Sequence, residues 1–73
     1  MISTGEQAHH RRILLGMNQS EFWERVGSSQ SAGSRYEDGR DIPRPIQLLL
    51  TIAYIGNAKA RNHALKQLRG WES

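Results

Sequence analysis

The stretch Gln19-Ser20-Glu21-Phe22-Trp23-Glu24-Arg25-Val26-Gly27-Ser28-Ser29-Gln30-Ser31-Ala32-Gly33-Ser34-Arg35-Tyr36-Glu37 decides how this chain is read. Asn18 followed by Glu21 has the form of a helix cap with its acidic partner three residues on, so a helix is predicted over 19–26. Phe22 and Val26, four apart, share one face of it. Gly27 closes it, and a second short helix is predicted over 29–36. That second helix is poor in helix formers, with Ser31, Gly33 and Ser34 inside it.

Working outward, the same punctuation recurs. Ser3 with Glu6 resembles a capping box and predicts a first helix over 6–15, with Ala8, Ile13, Leu14 and Leu15 as its thin apolar content. Arg11 and Arg12 are expected toward solvent, and Gly16 is a left-handed stop. Downstream, Gly39 ends the second motif helix and 41–45 reads as an extended connection, with Pro45 at a first helical position. The segment 46–55 is apolar on nearly every side through Leu48, Leu49, Leu50, Ile52 and Ala53, which predicts a helix buried among others. Gly56 stops it, and Asn57 caps a last helix over about 58–69. A stripe of Ala60, Ala64, Leu68 and Trp71 runs along that helix, with Lys59, Arg61, Lys66 and Arg69 elsewhere. Valine occurs once and no alternating strand pattern stands out. The expectation is an all-α, five-helix domain occupying 1–73.

Composition narrows the classes. Ten Lys and Arg against seven Asp and Glu leave a charge of +3 on 73 residues, and there is no cysteine. A disulfide framework, a zinc-thiolate site and a cysteine nucleophile are thereby excluded. No apolar run approaches the ~20 residues of a bilayer span, and Met1 to Gly5 does not read as a signal peptide, so a soluble, cytoplasmic protein is expected. A chain this short buries only about 60% of its unfolded surface and would gain from a partner subunit. His9 and His10 are adjacent and point to different sides of a helix, while His63 is remote, so exposed histidines rather than a metal site are expected. Nothing sets a base beside a nucleophile. No catalysis and no cofactor are expected.

Two short helices about a tight turn, the second polar at its start, have the layout of a helix-turn-helix whose second helix enters the DNA major groove. Small side chains at the leading end suit a groove about 12 Å wide, and the Gln30 amide matches the N6 and N7 edge of adenine. Ser29, Ser31 and Ser34 can donate to phosphates or base edges without bulk, and the free amides of a helix start add a phosphate site. Arg35, Arg40 and Arg44 lie around this helix. Their bland reading is solvated charge, locally neutralised by Glu37, Asp38 and Asp41.

Residues 17–39 resemble the Cro-repressor and lambda-repressor-like helix-turn-helix family, also called the Xre family. The resemblance rests on Asn18-Gln19 opening one helix, Gly27 in the turn, Ser29-Gln30-Ser31 opening the next and Arg35-Tyr36-Glu37-Asp38-Gly39 closing it. Ile42-Pro43-Arg44-Pro45 before Leu48-Leu49-Leu50 resembles the family's entry into a fourth helix. The resemblance implies that Gln19 bonds a phosphate and orients Gln30. It implies that Gln30, Ser31 and Ser34 face the groove, that Arg35 reaches a base or flanking phosphate, and that Arg40 and Arg44 grip the backbone. Three positions depart from the pattern: Trp23 replaces a small residue, Gly33 a branched apolar one and Ser28 an apolar turn residue. Trp23 and Gly33 read together as a volume exchange, the indole filling the space left at Gly33. The alternative is a shifted or frayed second helix, which Gly33 would favour.

The leading expectation is a sequence-specific double-stranded DNA-binding transcriptional regulator. The runner-up is an antitoxin-like or adaptor module that uses the last helix and Trp71 to hold a protein partner. A non-specific nucleic-acid binder is the third reading. The last helix is expected either to fold back over the first or to form a twofold contact, with a homodimer at least on DNA.

Overall fold

The computed structural model describes residues 1–56 and 58–70, and among them five helices follow one another with no strand. They are α1 (Gly5–Leu14), α2 (Gln19–Glu24), α3 (Gln30–Glu37), α4 (Arg44–Tyr54) and α5 (Ala58–Gly70). All five predicted helices are present, with ends that differ by at most two residues. The capping box that starts α1 is Thr4 with Gln7, not Ser3 with Glu6. Thr4 Oγ1 accepts from the Gln7 amide at 3.2 Å. The uncharged Gln7 side chain reaches back far enough for its Oε1 to accept from the amides of both Ser3 and Thr4, at 2.9 and 3.2 Å.

Three of the four predicted glycine stops share one geometry, whereas α4 ends at Ile55 in extended backbone and Gly56 is not left-handed. Gly16, Gly27 and Gly39 have φ of +69°, +80° and +115°. After α2 the Gly27 amide donates to Glu24 O at 3.0 Å and the Ser28 amide to Trp23 O at 3.0 Å. After α3 the Gly39 amide donates to Tyr36 O at 3.0 Å and the Arg40 amide to Arg35 O at 3.1 Å. These are paired Schellman bonds, which satisfy the last carbonyls of a helix and turn the chain sharply. The turn after α2 brings it to Ser29, whose Oγ accepts from the Ala32 amide at 3.1 Å and caps α3.

α4 begins at Arg44, with Pro45 in its first turn rather than opening it. Proline fits either place, since the first amides of a helix have no acceptor within it. The expectation that α4 is buried on nearly every side is corrected: Leu48, Leu50, Thr51 and Tyr54 are buried, whereas Ala53 is exposed. There are too few neighbouring elements to surround it. α5 packs on α4 rather than folding back over α1 as one reading expected. Ala64 is buried and Leu68 half-buried. The Asn57 cap, Trp71 and the Ala60 side chain lie outside what the structure describes.

The core gathers Ile2, Ala8, Phe22, Trp23, Val26, Ile42, Leu50 and Tyr54, with Met17, Tyr36, Ile46, Leu49 and Ile55 against it. Full burial of a side chain such as Phe22 stabilises the fold by about 1.5–3 kcal/mol. Phe22 stacks on Tyr54 with ring centroids 4.2 Å apart and planes 8° from parallel. The Tyr54 hydroxyl donates to Phe22 O at 2.6 Å, so α2 is fixed to α4 by both an apolar and a polar contact. The N-terminal segment is tied to α4 as well: the Ile2 amide donates to Thr51 Oγ1 at 3.0 Å, and that hydroxyl donates to Gln47 O at 3.0 Å. Ile13, Leu14 and Leu15, read from the sequence as the apolar content of the first helix, stay exposed.

Candidate nucleic-acid interface

Positions 30, 31, 34 and 35 recur at helical spacing on one face of α3. Gln30, Ser31 and Arg35 are exposed there and Ser34 is half-buried. The first amides of α3, at Gln30 and Ser31, have no acceptor within the helix and open onto the same end. The helix runs 30–37, one residue later than the predicted 29–36, because Ser29 serves as its cap. The Ser29 oxygen is engaged with the Ala32 amide, which leaves its hydroxyl proton for another acceptor.

The other face of α3 carries Gly33, which meets Trp23 of α2, two of the departures noted in the sequence. Gly33 is buried, and a Cβ built on it would stand 2.2 Å from Cδ1 and Cγ of the Trp23 ring. The Trp23 indole is fully buried over that glycine. The volume exchange is therefore real, and α3 is neither frayed nor shifted out of contact with α2. The indole Nε1 also donates to Glu37 Oε2 at 2.7 Å, so the residue that fills the gap acquires a polar tether.

Glu37 is the residue whose place the sequence reading missed. By position it groups with Asp38 and Asp41 as a surface charge neutralising the arginines. Its side chain is instead 5% exposed and turned to α1 and α2. Arg12 Nε donates to Oε2 at 2.9 Å and Arg12 Nη2 to Oε1 at 2.9 Å, a bidentate pair. His9 Nδ1 lies 2.6 Å from Oε1, and Gln19 Nε2 donates to Oε1 at 3.4 Å. Burial opposes ionisation, but the hydrogen bonds from Arg12, Trp23, His9 and Gln19 outweigh it and lower the pKa to about 2. Arg12, expected toward solvent, is only 12% exposed at its side chain and also donates to Met17 O at 3.0 Å. The separation of Arg12 from Glu37 by 25 positions, on different helices, hid the pair from any local reading.

Gln19 and Gln30 are brought together: Gln30 Nε2 donates to Gln19 Oε1 at 2.8 Å. Arg35 and Arg40 line one shallow concavity together with Asp38. Arg44 lies apart from these two, its guanidinium donating to Gln67 Oε1 on α5 and, at 3.5 Å, to Gln47 Oε1. Gln67 Nε2 in turn lies 2.7 Å from His63 Nε2. Arg44 is thus bonded to the last helix and does not line the concavity of Arg35 and Arg40. Among the described residues no cluster of metal-ligating side chains occurs and no helix is long and apolar enough to cross a membrane.

A family model described as an RsaL-like helix-turn-helix domain matches residues 9–53, more than half of the chain. It bears out the helix-turn-helix resemblance of Cro- and lambda-repressor-like type. The matched span contains α2, α3 and nearly all of α4, and leaves α5 outside. No curated protein and no solved structure matches the chain.

Proposed function

This chain belongs to the RsaL-like helix-turn-helix family of DNA-binding domains, and we propose that it acts as a sequence-specific transcriptional regulator with α3 in the major groove. The observation that carries this is the amide pair of half-buried Gln19 and exposed Gln30 at the start of a helix whose outward face also bears Ser31, Ser34 and Arg35. Gln30 keeps one amide proton and its carbonyl oxygen for a base, the donor and acceptor pattern that complements adenine N7 and N6. Ser31 and Ser34 leave room for the helix to sit deep. Gln19, Ser29 and the first amides of α3 contact a phosphate at the groove edge. Arg35 reaches a base or a neighbouring phosphate, and Arg40 and Arg44 hold the backbone on either side. Because Glu37 is turned inward, it does not neutralise these arginines. That removes part of the bland reading of their charge.

A second copy on the other half of a twofold site is part of this reading, with half-sites about one helical turn apart. Selection of tight binders from a random duplex library at physiological salt tests it. A single recurring motif is expected; binders with no common sequence would contradict it. A second reading, an adaptor that holds a protein partner, is favoured by the exposed Ile13, Leu14 and Leu15 at the end of α1. Its mark would be weak binding to every duplex together with a stoichiometric protein companion after purification.

A further inference from the structure

The chain of hydrogen bonds behind Gln30 has a direction, and Glu37 sets it. An ionised carboxylate is acceptor-only, so every group facing it must donate. Arg12 and Trp23 do so without alternative. Gln19 is an amide, free in principle to present either its oxygen or its nitrogen. Facing Glu37 Oε1, it presents Nε2, at 3.4 Å. Its oxygen is thereby turned the other way, where it accepts from Gln30 Nε2 at 2.8 Å. Gln30 must then offer outward its own carbonyl oxygen and its second amide proton. Were the first member of this chain neutral, both amides could reverse together, and Gln30 could show a base the opposite pattern.

We propose that Glu37 is a positioning residue for base reading: through Gln19 its carboxylate fixes which way round the Gln30 amide meets the DNA. This rests on the groove reading above and adds a side chain withdrawn from solvent, at the far end of α3, to the determinants of specificity. The carboxylate touches no DNA itself. Its bonds to Arg12 and His9 on α1 and to Trp23 on α2 hold it in place, so the polarity of Gln30 depends on three helices at once. A purely structural Glu37 would staple those helices and leave the base preference alone.

The test is duplex selection with wild type, Glu37→Gln and Gln19→Met, at a temperature where circular dichroism shows all three folded. Wild type is expected to recover a motif in which one base pair loses its preference when Gln30→Ala is used. Both variants should lose about tenfold of discrimination at that pair while keeping the rest of the motif. Combining them should add little, since each cuts the same chain. A Glu37→Gln protein with a lower melting temperature but an unchanged motif would overturn the proposal. Should Glu37→Gln not fold, Glu37→Asp decides, because it keeps a carboxylate while shortening its reach to Gln19: loss at the Gln30 pair supports the proposal and an unchanged motif overturns it. A wild type that recovers no motif overturns the groove reading and this assignment together, and is told apart from a wild-type motif that the variants leave intact.

Discussion

Gly33 and Trp23 form one unit in which a large side chain is admissible because its neighbour has none. The 2.2 Å separation between a hypothetical Gly33 Cβ and the indole ring is far inside contact distance, and the buried ring cannot swing out without emptying the core. Gly33→Ile is therefore expected to destabilise the domain by about 1–3 kcal/mol or more despite its better helix propensity. The melting temperature checks this, and a rise would contradict it. Trp23→Ala should rescue part of that loss when combined with Gly33→Ile, since the exchange is mutual. Glu37 gives a second prediction. Its carboxyl titrates near 2 in the fold against 4.5 when free, so the stability it supplies is complete above the free value and is lost as pH falls through the folded one. Between pH 4.5 and about 2 the wild type should lose stability more steeply than Glu37→Gln. Parallel acid-unfolding curves would contradict the pairing with Arg12 and His9. The Trp23–Gly33 exchange was legible in the sequence because both departures fall within one short motif. The Arg12–Glu37 pair was not, because no periodicity connects residues on different helices.

α3 owes its existence to its ends rather than its middle. Ser31, Gly33 and Ser34 are weak helix formers, and the helix is held by the Ser29 cap at one end and the Gly39 Schellman turn at the other. Ser29→Ala is expected to cost about 1 kcal/mol and to fray the end that carries Gln30. Amide exchange at Ala32 and Gly33, which donate to Ser29, should quicken while that of α4 stays unchanged; an equal response in both helices would mean that the cap acts on the whole fold instead. Helix punctuation was the most legible feature of the chain, since Gly16, Gly27 and Gly39 act through backbone conformation alone. Helix starts were read less well. Ser3 and Thr4 can both cap, and only the reach of Gln7 selects Thr4. For α4, apolar content marked the buried run but not the polar first turn that precedes it.

Across the whole molecule, α2 and α3 are fastened from two sides: to α4 through the Phe22–Tyr54 stack and to α1 through Glu37. The outward face of α3 is thus presented by a rigid support, which is what a base-reading helix needs to turn hydrogen bonds into discrimination. The net charge of +3 carried little information by itself; what matters is that Glu37 is withdrawn from the surface while Arg35 and Arg40 remain on it. The sequence did not reveal that Arg44 is tied to Gln67, a contact between α4 and α5 across 23 positions. Base reading by Gln30 from the major groove is tested by the ratio of affinities for the selected duplex and a random one at physiological salt. Wild type should show a ratio of about 10³ or more, and Gln30→Ala should lower it by about 1–3 kcal/mol, roughly five- to 150-fold, with the affinity for random duplex unchanged. A ratio that Gln30→Ala leaves intact, or affinities lowered equally for both duplexes, would contradict the account.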